Sequence, residues 1–226
     1  MMAAMTPAPG RHPLAYRTVI AVGRPIMAWS RLTVTGLANL PADGPTLVVG
    51  DHDSYWDPIA IAVAARQVRH IRALAKSTLW KNKFIGRCMD SMGQIPIERG
   101  ASNEAALQTA IAELSRGACI GIFPEATRSL GRHLRARSGV GRLAVAVPEA
   151  TVVLVRTNGT TDVVRLPKRP AITVEFLRPA AGQWQPGESV TAFADRLLAE
   201  LRAQAPVEVP GRRRAAERFR ARIEAD

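Results

Sequence analysis

Short apolar runs at residues 46–49, 71–75, 119–123, 152–155 and 172–176 alternate with stretches of helical periodicity. Few architectures accommodate that alternation. A further strand-like run at 32–35 precedes the turn Asn-Leu-Pro-Ala-Asp-Gly-Pro at 39–45, and Cys-Ile-Gly-Ile-Phe at 119–123 reads as a buried strand. The intervening segments at 58–66, 78–89, 140–147 and 190–201 read as helices. The clearest helix follows Ser102, a candidate cap, with Glu104 in its first turn, Ala106, Ile111 and Leu114 on its apolar face and Gly117 at its end. Strands alternating with helices bury their apolar faces as a sheet between helical layers, so the expected class is α/β, a central mixed sheet flanked by helices.

A chain of 226 residues holds one domain of ordinary size plus modest extensions. We place an N-terminal segment at 1–31, the main domain at 32–205 and a basic tail at 206–226. No run of about 18 apolar residues exists to span a bilayer. The segment at 14–29, LAYRTVIAVGRPIMAW, is short and broken by Arg17, Gly23, Arg24 and Pro25, which also argues against a signal peptide. It reads equally as an amphipathic helix packed on its own domain and as an interfacial membrane anchor.

Lys and Arg total 31 against 19 Asp and Glu, a net charge of +12 that calls for anionic partners: phosphates, acidic lipid surfaces or nucleic acid. The tail concentrates this charge, with six arginines against one glutamate at 211–222. It reads either as a solvated helix or as a contact for an anionic surface, worth about 1 kcal/mol per cation near an acidic leaflet. Aromatic residues are only 5% of the chain, too few to stack bases, so no specific nucleic acid partner is expected. Cys88 and Cys119 stand alone, without a CxxC pair or a disulfide framework.

Chemistry-bearing residues gather in three loops. The first, Gly-Asp-His-Asp-Ser-Tyr-Trp-Asp-Pro at 50–58, sets one imidazole among three carboxylates between a strand and a helix. Asp57 suits either a helix cap, with Pro58 at the first helical position, or a partner that orients His52 as a general base. A spacing of five puts the two side chains on different faces of a helix, so their pairing requires His52 in the turn before it. In the second loop, Ile-Pro-Ile-Glu-Arg-Gly at 95–100, Glu98 and Arg99 interrupt an apolar run; Arg99 can clamp a phosphate, or the pair can be a surface ion pair. The third, Phe-Pro-Glu-Ala-Thr-Arg-Ser at 123–129, places Glu125, Thr127, Arg128 and Ser129 at the carboxyl end of a strand, where α/β sheets bind ligands.

Together these residues resemble the glycerolipid acyltransferases typified by 1-acylglycerol-3-phosphate acyltransferase (PlsC-like), over roughly residues 32–176. His52 and Asp57 match that family's His-x-x-x-x-Asp block, 95–100 its second block, and 123–129 its Phe-Pro-Glu-Gly-Thr-Arg-Ser block at all positions but Ala126. The resemblance implies transfer of a fatty acyl group from a thioester, acyl-CoA or acyl-carrier protein, to a lysophospholipid hydroxyl. His52 is then the base, Asp57 orients it, and Glu98, Arg99, Gly100, Glu125, Thr127, Arg128 and Ser129 form the substrate pocket. No cofactor, metal or covalent intermediate is implied. The oxyanion donor is expected near the helix starting at Pro58. A peripheral or monotopic position on the cytoplasmic face of the cell membrane follows from amphiphilic substrates, with an anionic membrane surface as partner, residues 1–31 as the membrane-associating segment and the tail at 206–226 as a basic C-terminal helix.

Three positions depart from the family pattern. Asp51 stands where Asn usually precedes His, and its charge is expected to favour the imidazolium. Ala126 replaces Gly; a left-handed backbone costs a residue with a Cβ about 1–2 kcal/mol, so a right-handed conformation is expected there. Leu154 replaces a proline in the strand at 152–155 that bears on acceptor choice. Two other readings stand beside this one: an acyltransferase acting on another lysolipid or glycolipid, and a non-catalytic module binding acidic lipid or nucleic acid.

Overall fold

The computed structural model describes residues 13–98, 103–129, 132–163 and 169–204; Arg99, Gly100, Ser102 and the basic tail lie outside them. Among the described residues seven strands form one sheet: β1 (Thr33–Thr35), β2 (Thr46–Gly50), β3 (Ile71–Lys76), β4 (Ile95–Ile97), β5 (Cys119–Ile122), β6 (Thr151–Asn158) and β7 (Thr173–Leu177). Six α-helices of those residues accompany them: α1 (Leu14–Trp29), α2 (Asp57–Ala65), α3 (Lys83–Ser91), α4 (Glu104–Ser115), α5 (Gly139–Ala146) and α6 (Val190–Ala203). The strand order is β1-β7-β6-β2-β5-β3-β4. Strands β6, β2, β5, β3 and β4 run parallel, whereas β7 pairs antiparallel with β6, so the sheet is mixed as expected.

The central strands lack alternation because both their faces are covered. Register sets Val49 beside Ile122 and Leu154, and Leu47 beside Ile120 and Val152. These side chains pack on one face under Leu107 and Leu114 of α4, Leu143 of α5, and Phe193, Leu197 and Leu201 of α6. On the other face Val48, Val153, Val155 and Phe176 meet Tyr16, Ile20 and Met27 of α1 and Ala60, Ile61 and Ala64 of α2. Truncating a side chain as enclosed as Leu197, which is 0% exposed, costs about 2–5 kcal/mol.

Helix α1 packs on the domain through Tyr16, Ile20, Gly23 and Met27. Gly23, which on sequence interrupts an apolar stretch, is the contact point: a Cβ there would stand 2.9 Å from Ile59 Cγ2. Arg17, Arg24 and Pro25 lie on the outer, exposed side, together with Leu14 and Val22. Among the described residues no helix is long and apolar enough to cross a membrane.

Some local expectations are corrected. The segment at 78–89 is a 3-10 turn at Ser77–Lys81 followed by α3, because the Asn82 side chain accepts the Phe84 and Ile85 N–H groups and starts a new helix. Ahead of α4, Asn103 stands at the cap position, yet its side chain accepts the Glu98 N–H at 2.9 Å. The apolar face of α4 centres on Leu107, Ala110 and Leu114; Ala106 and Ile111 are only half-buried. Leu154 is 0% exposed and packs in the core under α4, α5 and α6.

Candidate active site

Strand β2 ends at Gly50, where a Cβ would stand 3.0 Å from the Phe123 ring. Glycine therefore lets Phe123, at the end of β5, lie close against the turn that follows β2. The His52 ring stacks on that phenyl ring with centroids 4.4 Å apart and planes 21° from parallel. Its side chain remains 13% exposed.

Asp57, the first residue of α2, does not cap the helix. Its carboxylate turns back: Oδ2 accepts the Asp53 and Ser54 N–H groups at 2.7 Å each, and Oδ1 accepts the Thr160 hydroxyl at 2.5 Å. His52 Nδ1 stands 3.0 Å from the same Oδ2. A carboxylate in this network only accepts, so Nδ1 carries the proton and Nε2 keeps its lone pair. The turn therefore makes the pairing that helical spacing forbids. The N–H groups of Asp53, Ser54, Trp56 and Asp57 are all engaged within this turn.

The third loop closes over His52 through its backbone. The His52 N–H donates to Glu125 Oε2 at 3.0 Å, and the Ser129 N–H donates to the His52 carbonyl at 2.7 Å. Glu125 and Ser129, expected in the substrate pocket, are 3% and 0% exposed. They face inward: the Ser129 hydroxyl bonds the Asp53 carboxylate, and both Glu125 oxygens are engaged by Arg202. Thr127 and Arg128 lie on the partly exposed side, and the Arg128 guanidinium covers the exposed Tyr55 ring at 3.9 Å.

Arg202, in the last turn of α6, is the residue the sequence reading missed. Its Nε and Nη2 grip Glu125 at 3.0 and 2.5 Å, its Nη1 donates to Asp53 Oδ2 at 3.0 Å, and that nitrogen is 3.9 Å from Asp51 Oδ2. Burial alone would lower its pKa, but the hydrogen bond to Glu125 and the carboxylate charges raise it above the ordinary arginine value. A sequence signal exists. Arg202 continues the stripe Ala194–Leu198 at a spacing of four, where a charge ends an otherwise buried face.

Burial also raises the Glu125 carboxyl, against the pull of Arg202 and the His52 N–H. For Asp51, 1% exposed, burial prevails over Arg202 and the Thr157 N–H and pushes the carboxyl up to about 7. Near neutrality much of Asp51 is therefore protonated. The negative charge expected beside His52 is therefore only partly present near neutrality. Ala126 overturns an expectation: its φ is +56°, left-handed, in an exposed turn after Pro124 and Glu125.

Strands β2, β5 and β4 are parallel, so all three loops leave the same edge of the sheet. The first and third are in direct contact. Glu98 is exposed after edge strand β4, three strand spacings from β2, about 14 Å, and its N–H is held by Asn103.

A sequence profile of the family described as Acyltransferase matches residues 31–163, more than half of the chain. The chain belongs to this acyltransferase family. All three motif loops lie inside the matched region, and Arg202 lies beyond it. The 1-acyl-sn-glycerol-3-phosphate acyltransferase of Bacillus subtilis is 32% identical over 91 residues, 40% of this chain and 45% of that protein. The enzyme of the same name from Borreliella burgdorferi is 30% identical over 138 residues, 60% of this chain and 54% of that protein. The chain thus spans about half the length of these curated relatives. The crystal structure of the 1-acyl-sn-glycerophosphate (LPA) acyltransferase PlsC from Thermotoga maritima matches with a TM-score of 0.61 at 21% identity, over 82% of this chain and 75% of that one. That likeness is one of fold.

Proposed function

We propose that this acyltransferase moves a fatty acyl group from a thioester to the free hydroxyl of a lysophospholipid, with 1-acylglycerol-3-phosphate as acceptor and phosphatidic acid as product. The observation that carries the reading is the His52–Asp57 pair, with Nδ1 held by the carboxylate and Nε2 left as a base. The names of the Bacillus subtilis and Borreliella burgdorferi relatives support the choice of acceptor.

In this reaction Nε2 takes the hydroxyl proton as the acceptor oxygen attacks the thioester carbonyl carbon. The tetrahedral intermediate collapses, the C–S bond breaks, and the departing thiolate recovers the proton from the imidazolium. Asp57 balances the transient positive charge on His52 and holds the ring's tautomer. Transfer is direct, without an acyl-enzyme or cofactor. The state of Cys119 supports this: it is 2% exposed and burial pushes its thiol up to about 12, which disables it as a nucleophile. Arg128 in the third loop and Arg99 in the second supply guanidinium groups for the anionic substrates. The enzyme works as a peripheral protein on the cytoplasmic face of the membrane, where both amphiphilic substrates reside.

Mass spectrometry of purified protein mixed with oleoyl-CoA or oleoyl-carrier protein and lysophosphatidate tests this reading. Phosphatidic acid forms with the wild type and disappears with His52→Ala, and the two donors compared side by side assign the thioester. A folded wild type that yields no product with either donor overturns the acceptor assignment.

A further inference from the structure

The 3-10 turn at Ser77–Lys81 and the first turn of α3 present an exposed apolar cluster that the reaction does not use. Phe84 is 83% exposed, Ile85 39% and Leu79 37%. Single exposed apolar residues need no explanation, but three on adjoining turns form a patch. The patch is held in shape. Asn82 accepts the Phe84 and Ile85 N–H groups at 3.0 and 3.1 Å, and the Trp80 indole N–H donates to Asp90 at 2.6 Å, tying the turn to the helix. At Gly86 a Cβ would stand 3.3 Å from Trp80 Cα, so the turn packs directly on α3.

The charge around the patch is predominantly positive, with the exposed Asp90 that holds Trp80 as the one acid on α3. Exposed Lys81, Lys83 and Arg87 flank it, and residues 76–89 contain no Asp or Glu. Its position matters as well. β3 ends at Lys76 and runs parallel to β5 and β2, so the patch leaves the sheet at the edge that carries His52.

We propose that this surface docks the protein on an anionic lipid bilayer, with Phe84 and Leu79 inserted among the acyl chains and Lys81, Lys83 and Arg87 on the headgroup phosphates. The inference rests on the lipid-substrate reading above and names the face through which those substrates are reached. A protruding ring flanked by long cationic side chains suits an interface that is apolar below and anionic at the surface. Three apolar side chains fall well short of the roughly 800 Å² per partner of a stable protein interface. Docking here turns the edge bearing His52 toward the leaflet, so an acceptor reaches Nε2 without leaving the lipid phase.

Vesicle co-sedimentation of the full chain tests the proposal, with phosphatidylcholine vesicles carrying phosphatidylglycerol compared with phosphatidylcholine alone. Phe84→Ser weakens partitioning about ten-fold or more, the transfer value of a buried aromatic side chain. The Lys81→Gln, Lys83→Gln and Arg87→Gln changes weaken it about five-fold each on anionic vesicles and remove most of its salt dependence. Leu14→Ser with Val22→Ser, on the outer face of α1, leaves binding unchanged. All these residues are exposed, so folding and turnover of short-chain, water-soluble donor and acceptor remain at the wild-type level. Wild-type binding by Phe84→Ser overturns the docking face, and loss of binding only in the α1 variant assigns docking to the N-terminal helix instead. A wild type that acylates soluble acceptors yet ignores vesicles overturns the inference while leaving the acyl-transfer reading intact. Lysine and arginine variants that bind vesicles normally but lose an acidic acyl-carrier protein overturn it in favour of a protein partner.

Discussion

Replacing Asp51 by Asn tests the electrostatics beneath His52. The Asp51 carboxyl titrates at about 7 in the folded protein, because burial outweighs the nearby Arg202, against about 3.9 in an unfolded chain. Between those values the folded state keeps a proton that the unfolded chain has released. The stability from this proton is therefore complete below about pH 4, declines by up to about 1.4 kcal/mol per pH unit, and is gone above about pH 7. Over the roughly three pH units between the two values the loss has a ceiling of about 4 kcal/mol, and relaxation around a charged Asp51 reduces it to about 2–4 kcal/mol. Asn can keep the acceptor that receives the Thr157 N–H and carries no charge at any pH. The unfolding free energy of Asp51→Asn minus that of the wild type should climb across pH 4–7 and level off above. Urea denaturation at half-unit steps from pH 4.5 to 8.5, with the linear slope checked to be common to both proteins, measures that difference. A difference that stays flat within about 0.5 kcal/mol over the whole range would refute the burial argument.

Two further outcomes follow from the same loops. Ala126→Gly relieves the left-handed strain at φ +56° but adds entropy to the unfolded chain, for a net gain of about 0.5–1 kcal/mol and a Tm rise of about 1–4 °C by calorimetry; a lower Tm contradicts the strain. Arg202→Gln leaves Glu125 and Asp53 buried without their cation, costing about 3–5 kcal/mol in stability and lowering kcat about ten-fold or more with KM little changed. Arg202→Lys keeps the charge without the fork and recovers part of kcat. Wild-type kcat in folded Arg202→Gln excludes a positioning role for Arg202.

Much of this molecule is written locally. Strand and helix positions follow from runs of Val, Ile and Leu punctuated by Gly, Pro and Asp, and β2, β5, β6 and α1 fall close to where periodicity puts them. The His52–Asp57 pairing is also local, since five residues and a turn are enough to create it. Where the sequence reading fails, the deciding partner is distant or the backbone is held against its own preference. The sequence leaves Asp57 as either a helix cap or the partner of His52, and it cannot show that Thr160, 103 residues away, takes its other oxygen. Ala126 reads as right-handed because its intrinsic preference is right-handed, whereas the closed loop, bonded through Ser129 to His52, holds it at positive φ. Asp51 reads as an anion because a free carboxyl is one; burial beneath the folded loops changes that.

Arg202 is the extreme case. On its own helix it is an ordinary basic residue near the carboxyl end, where the helix dipole welcomes a cation. Its bond to Asp53 crosses 149 residues of chain, so it exists only after α6 has packed Leu197 and Leu201 against the sheet. Residue types and their spacing determined which strands, helices and motif loops form, because those choices rest on backbone preference and apolar periodicity within about ten residues. Tertiary packing decided which charges meet and which lose their water, because ion pairing and desolvation depend on distances in space that chain separation does not set.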